Sequence, residues 1–233
     1  MEDIQEKKYD VLVIGAGAAG MRAAIAASDE GASVCLVSKS LLGKAHTVMA
    51  EGGAAAALGN ADERDNWKVH FRDTIKGGKH LNNWQMAKIH AEQAPERILE
   101  LERWGAVFDR TKDGKINQRN FGGHRYPRLA HVGDRTGLEI IRTVQDKVIH
   151  QDNIDIFMEC TVATIITEDN QAVGALAYYR NNGEIVAIHA KAIVVATGGI
   201  GKAYRVTSNS WEYTGDGHSL AYLAGADLQD MEF

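Results

Sequence analysis

Six residues near the start of the chain restrict its fold more than any other feature. Gly15, Ala16, Gly17, Ala18, Ala19 and Gly20 form G-x-G-x-x-G, directly after the apolar run at residues 9–14 and directly before small and apolar residues at helical spacing over 18–27. The pattern predicts a strand, a tight turn and a helix reaching to Gly31, then a second strand over 33–38 where β-branched and apolar residues return. Each glycine has a task in such a unit. The first permits the turn, the second lets the main chain approach a pyrophosphate, and the third allows the helix to pack closely. The helix N-terminus adds free N–H groups and the positive end of its dipole. A strand, helix and parallel strand joined this way open a doubly wound α/β sheet that binds a dinucleotide.

The end of the second strand narrows the kind of dinucleotide. Simple NAD-binding units place an acidic residue about twenty positions on, where it holds the ribose hydroxyls. Here the strand runs into Ser38, Lys39 and Ser40 instead, which makes a plain NAD domain the weakest reading. The Ser38 hydroxyl can still bond a ribose, and a solvated strand end explains it equally well.

Composition agrees with a fold that presses its main chain against a ligand, because 24 glycines stand against only 2 prolines. A net charge of -5 and a pI near 6.0 leave no basic stripe to supply counterion release, so no nucleic acid partner is expected. Cys35 and Cys160 sit in apolar strand-like runs and read as reduced core thiols. The apolar run at 11–14 is too short for a signal peptide or a membrane span, so the chain is not expected to cross a membrane unaided.

Downstream, residues 46–60 are rich in glycine and alanine and read as a segment packed against a flat ligand. A helix is predicted over 66–75. A helical pair is predicted between Trp84 and Trp104, with Pro95 in the first turn of its second member and Gly105 as its stop. Residues 154–190 read as a β-meander, with a tight turn at Asn181, Asn182 and Gly183, inserted before a core strand at 192–196. A last helix spans 215–224 and stops at Gly225.

The segment Gly43, Lys44, Ala45, His46, Thr47, Val48, Met49, Ala50, Glu51, Gly52, Gly53 resembles the flavoprotein subunits of succinate dehydrogenases and fumarate reductases. In that family the histidine of a Ser/Ala-His-Thr-Val run is bonded to the 8α carbon of FAD, and an Ala-Gln/Glu-Gly-Gly run lines the flavin. The resemblance continues in order through Asp65, Asn66, Trp67, Asp73 and Thr74, then Phe121, Gly122 and Gly123, then Asp134, Arg135, Thr136 and Gly137, then residues 196–199, then Thr214, Gly215, Asp216 and Gly217.

The resemblance implies an FAD-binding Rossmann-like fold of the glutathione-reductase type, a parallel sheet with a β-meander. It implies FAD held covalently through His46, bordered by residues 15–20, Ser38, Lys39, Ser40, Gly43, Lys44, Ala45, Thr47, Ala50, Glu51, Gly52 and Gly53. It further implies that Val162 lies near the adenine through its backbone, that Thr197 and Gly198 approach the cofactor, and that Asp216 bonds the ribityl chain. Phe121 and Gly52 then face the substrate, succinate or fumarate. The other readings are a core-strand end for Thr197, an N-cap for Asp216 and a packed ring for Phe121.

In the family, the residues matching 230–233 belong to a strand, and the proton-transferring arginine belongs to a capping domain downstream of the position matching Phe233. Residues 1–233 are therefore expected to be the N-terminal portion of an FAD-binding domain, truncated before the capping domain, with the catalytic group outside the chain. The implied reaction is hydride transfer between succinate and flavin N5, with electrons passing to an iron–sulfur partner and with membrane-anchor subunits holding the complex at the cytoplasmic face of the cell membrane. Rival readings are a soluble relative such as an L-aspartate oxidase or soluble fumarate reductase, which lacks the covalent bond, and a non-catalytic flavin-binding module. His124, Arg125, Arg128, His131 and Arg135 make a basic loop that could steer a dicarboxylate but reads better as solvated or as a contact with another subunit. The other histidines have no metal-ligand spacing, two cysteines are too few for a four-thiolate cluster, and no metal site is expected.

Overall fold

The computed structural model describes residues 4–232. In chain order the strands are β1 (Gln5–Ile14), β2 (Val34–Val37), β3 (Ala54–Ala55), β4 (Gln118–Arg119), β5 (Leu129–Ala130), β6 (Ile154–Phe157), β7 (Cys160–Glu168), β8 (Gln171–Tyr179) and β9 (Ile185–Val195). The helices are α1 (Ala18–Asp29), α2 (Trp67–Gly77), α3 (Trp84–Arg103), α4 (Thr136–Ile149) and α5 (Asp216–Leu223). The described residues form two compact units, 4–47 with 144–232, and 48–143.

The first unit is built on a six-stranded sheet of order β6-β2-β1-β9-β8-β7. The first four strands run parallel, and β9, β8 and β7 are antiparallel neighbours. From β1 the chain moves to β2 and β6 on one side and to β9 on the other, so the strand order reverses between β1 and β9, where open α/β sheets bind ligands. Leu12, Val13 and the whole of β2 are buried, as a parallel sheet covered on both faces demands. The core joins Leu12, Ile14, Cys35 and Val37 to Cys160, Val162, Val186 and Ile188 from the antiparallel strands. Helix α1 turns Gly20, Met21, Ala24, Ile25 and Ser28 inward at helical spacing and ends before Gly31, whose φ of +83° only glycine adopts easily.

Several expectations about this unit change. Strand β1 begins at Gln5, not Tyr9, because its charged first residues pair with residues 186–189 of β9. The meander is not followed by a separate core strand, since β9 is both its last strand and the parallel partner of β1. Val186, Ile188 and Ala190 alternate inward, and only Lys191 separates them from the apolar run that follows, so no turn residue interrupts the strand. The β7–β8 connection is a two-residue turn in which Asp169 and Asn170 take φ of 48° and 63°, values such a hairpin requires. The strand that the resemblance implies at the last residues does not form over 230–232, and Phe233 lies outside the described residues.

The second unit holds α2, α3 and the small antiparallel sheet β3-β5-β4 around Ala56, Ala94, Ile98, Phe108, Ile116 and Ala130. Asn66 caps α2 and Asn83 caps α3, each side chain accepting two main-chain N–H bonds. The expected helical pair is one helix of 20 residues that continues through Pro95. Ala87, Ala91, Ala94 and Ile98 are buried at spacings of four, three and four across the proline, so burial of one face overrides the lost N–H bond to Ala91. Pro95→Ala restores that donor and is expected to raise stability by about 1–3 kcal/mol in urea unfolding. A loss of stability would mean that the ring packs better than its missing bond costs.

Candidate functional site

The three glycines of the N-terminal turn are held for different reasons. Gly15 has φ of +109° and donates its N–H to the Val37 carbonyl (2.8 Å), and a Cβ there would strike the Ala196 carbonyl at the end of β9. A Cβ on Gly20 would strike the Gly15 carbonyl. Packing within the protein therefore explains both. Gly17 differs: its φ of −80° suits any residue, and a Cβ would meet Ala45 Cβ at 3.4 Å and Thr47 Oγ1 at 3.7 Å, which is ordinary contact. Neither backbone conformation nor protein packing requires glycine at 17. Gly17 is also the N-cap of α1 and supplies no side-chain cap, and the Ala18 N–H reaches only a distant side-chain acceptor, Thr47 Oγ1 at 3.5 Å, so the first turn of the helix is poorly satisfied by the protein itself.

The space beside Gly17 is a cavity at the carboxyl ends of β1, β2 and β9. Its walls come from residues 14–19, 37–40, 44–47, 160–162 and 196–198, with Glu212, Tyr213, Asp216 and Leu220. Of the residues singled out in the sequence, Gly15, Ala16, Gly17, Ala18, Ala19, Ser38, Lys39, Ser40, Lys44, Ala45, His46, Thr47, Val162, Thr197, Gly198 and Asp216 all face it. Gly20 stands behind the wall in α1, and Gly43 makes the preceding turn with φ of +75°. Sequence reasoning missed Tyr213, Glu212 and Leu220, which obey no motif spacing. Cys160 is a wall residue as well as a core thiol, and burial pushes its pKa up to about 11.

Lys39 occupies the place where an acidic residue would hold a ribose, and its ammonium reaches α5. It donates to Asp216 Oδ2 and to Thr214 Oγ1, both at 2.6 Å, and Thr214 donates to Asp216 Oδ1 at 2.7 Å. Burial alone would raise the Asp216 carboxyl, but the bonds from Lys39 and Thr214 outweigh it and hold the group below the usual carboxylate range. The N-cap reading of Asp216 is corrected here. Gly215, with φ of +82°, is the N-cap of α5, and the carboxylate turns to Lys39 instead.

His46 opens a short 3-10 turn, His46–Met49. Its Nδ1 accepts the Ser210 main-chain N–H at 3.1 Å, and its ring centre lies 4.5 Å from that of Tyr213 at an interplanar angle of 41°. Nε2 has no hydrogen-bond partner among the described residues. With Nδ1 engaged as an acceptor, Nε2 is the nitrogen that remains for a ligand.

In the second unit Gly52 and Phe121 are neighbours. A Cβ on Gly52 would lie 3.7 Å from Phe121 Cε2, and the Phe121 ring is 59% exposed. Gly53 takes φ of +120°, and a Cβ there would come within 2.8 Å of the Ala130 carbonyl. Arg119 fixes this run by donating to the Glu51 carbonyl and to the Gly52 carbonyl (2.7 Å), and Gly137 donates to the Ala50 carbonyl (2.7 Å). The basic loop is not uniformly solvated. Arg128 is fully buried and pairs with Asp65 and Asp73, each at 2.8 Å, while Arg125 donates its main-chain N–H to Asp73 at 3.0 Å. These bonds tie the loop after Phe121 to α2. Beside them the His70 ring lies 5.2 Å from His90 and 6.4 Å from His124. Burial, then the Arg128 charge and the adjacent imidazoles, depress the His70 pKa to about 4, so it is neutral at physiological pH. Among the described residues no group of three His, Cys, Asp or Glu side chains is placed to hold a metal.

The family described as FAD binding domain matches residues 10–233. The chain belongs to this FAD-binding domain family. Within it, the chain is similar to flavoproteins named for succinate oxidation and fumarate reduction. It is 38% identical over 99% of its length to the fumarate reductase flavoprotein subunit of Haemophilus influenzae, of which it covers 38%. It is 38% identical, again over 99% of its length, to the succinate dehydrogenase flavoprotein subunit of Rickettsia conorii, of which it covers 40%. A chain of the Mycobacterium smegmatis Sdh1 complex in the apo form superposes with a TM-score of 0.91 at 57% identity, over 96% of this chain and 40% of that one. This FAD-binding domain chain thus spans about two fifths of the length of these relatives.

The contrast between the glycines gives a paired test. Gly17→Ala is expected to unfold nearly as the wild type but to bind FAD at least about tenfold more weakly, 1.4 kcal/mol. Gly20→Ala is expected to lose about 1–3 kcal/mol or more of stability through overpacking. Thermal unfolding and flavin titration separate the two, and wild-type FAD affinity in Gly17→Ala would show that no phosphate lies against that residue.

Proposed function

We propose that the chain is the N-terminal portion of the FAD-binding domain of a flavoprotein that interconverts succinate and fumarate, with FAD bonded to His46. The observation that carries the reading is the glycine at 17, which neither backbone conformation nor packing requires, beside a first turn of α1 that has no N-cap side chain and only a 3.5 Å contact to Thr47 Oγ1, in a cavity that His46 also lines. A pyrophosphate fits the first and a flavin the second. In this reading the N–H groups at the start of α1 receive the pyrophosphate, and Ser38 and Lys39 meet the adenosine ribose. The Val162 backbone borders the adenine, Thr197 and Gly198 approach the cofactor, and Asp216 accepts from the ribityl hydroxyls.

FAD supplies a hydride acceptor at N5. The Ser210 N–H, by occupying His46 Nδ1, makes Nε2 the bonding atom. Bonding at Nε2 would release one proton from that nitrogen and one from the flavin 8α methyl and would require a two-electron acceptor such as fumarate or dioxygen. Bonding of this kind makes the flavin a stronger oxidant, which a reductant as weak as succinate needs. Gly52 and Phe121 are the substrate-side residues. Iron–sulfur and membrane-anchor partners at the cytoplasmic face complete the proposal, in keeping with the complex and subunit names of the relatives. No helix of the described residues is long and apolar enough to cross a membrane.

The test is denaturation of the purified full-length protein in acid. The flavin is expected to stay with the polypeptide, and the peptide containing His46 to carry its mass. Release of all flavin, with His46 unmodified, would favour the soluble, non-covalent relatives. His46→Ala is expected to keep FAD but lower its potential, so that succinate oxidation falls more than fumarate reduction. Equal losses would contradict the role given to the bond.

A further inference from the structure

We infer that Tyr213 is the residue that positions the His46 imidazole for its bond to the flavin, an inference that rests on the covalent reading above. Tyr213 belongs to the segment between β9 and α5 and has no assigned role in the glycine motif or the histidine run. Its main chain is held on both sides: its N–H donates to the Ser210 carbonyl at 3.2 Å, and its carbonyl accepts from the Lys202 N–H at 2.9 Å. Its ring lies in a slot opened by two glycines. A Cβ on Gly198 would collide with the ring, and one on Gly199 would come within 3.1 Å of it. The same ring meets the His46 imidazole, with centres 4.5 Å apart.

A single short segment therefore grips the imidazole in two ways. Ser210 fixes the ring in its own plane through Nδ1, and Tyr213, three residues on, supports its side. A hydrogen bond at one nitrogen leaves the imidazole free to swing about the Nδ1 contact, and the aromatic wall removes that freedom. With Nδ1 an acceptor, Nε2 carries the imidazole proton, so bonding there would need that proton lost and the electron pair it leaves aimed at the 8α carbon, and a misplacement of about 1 Å can cost on the order of a hundredfold in rate. No hydrogen bond to the phenol oxygen is formed among the described residues. The work is done by the ring face, and phenylalanine should do it equally well. A residue that merely filled space would affect FAD affinity and fold, whereas a positioning residue affects the rate of bonding with FAD already in place.

The experiment uses the full-length protein in flavin-free form, mixed with FAD and fumarate as two-electron acceptor. Covalent flavin is followed in time by in-gel fluorescence after acid denaturation. Tyr213→Phe is expected to match the wild type within about twofold, and Tyr213→Ala to bond FAD on the order of tenfold to a hundredfold more slowly. In a His46→Ala background, Tyr213→Ala is expected to weaken FAD binding by far less than it slows bonding, because Tyr213 is one wall residue among many. Bonding by Tyr213→Ala at the wild-type rate would overturn the inference while leaving the covalent reading intact. A loss of FAD affinity in that background as large as the loss of bonding rate would show that Tyr213 acts through binding alone and would overturn it too. Absence of covalent flavin in the wild type would remove the covalent reading and the inference with it.

Discussion

The close approach of the Gly15 turn to the carboxyl end of β9 is the constraint on which the rest of the first unit depends. Parallel pairing of β1 with β9, from Gln5 opposite Val186 to Ile14 opposite Val195, delivers the turn to that point. The Ala196 N–H then bonds the Ile14 carbonyl at 2.8 Å. No side chain fits between the Gly15 main chain and Ala196, and none fits between α1 and the turn at Gly20. With both contacts closed, α1 starts immediately above the strand ends, its first N–H groups beside the cavity. The ligand site is a consequence of how tightly the sheet and its first helix must meet.

Polarity inside the cavity is arranged around that frame. The Lys39 ammonium stands where simple dinucleotide folds keep a carboxylate, and it finds its counter-charge in Asp216 across the strand ends. The two neutralise one another and tie the end of β2 to the start of α5. The apolar remainder of the wall, Val37, Cys160, Val162 and Leu220, suits a flat aromatic cofactor that needs few polar contacts along its rings. The second unit makes the complementary use of charge, with the fully buried Arg128 between two carboxylates holding the loop that follows Phe121. Removing one partner of such a buried set leaves an unpaired charge, which typically costs about 3–5 kcal/mol.

Much of this is legible in the sequence because local rules and tertiary structure agree there. The G-x-G-x-x-G turn, the helix stop at Gly105, the turn at 181–183 and the run around His46 each depend on neighbours in sequence. What cannot be read depends on partners distant in sequence. The unbroken length of β9 follows from pairing with β1, and the passage of α3 through Pro95 follows from a buried face that outweighs a local breaker. Arg128 reads as solvated from its neighbours alone because Asp65 and Asp73 lie more than fifty residues before it. Tyr213 obeys no motif, and only the meeting of its ring with His46 and Gly198 reveals it.

The central claim is that main-chain groups at the start of α1 hold a dinucleotide whose flavin end reaches His46. An experimental structure of the protein purified with its flavin tests it most directly. The account predicts pyrophosphate oxygens within hydrogen-bond distance of the main-chain N–H groups at residues 17–19, and continuous density between His46 Nε2 and the flavin 8α carbon. A flavin with its phosphates away from that turn, or one bonded to neither nitrogen of His46, would contradict it.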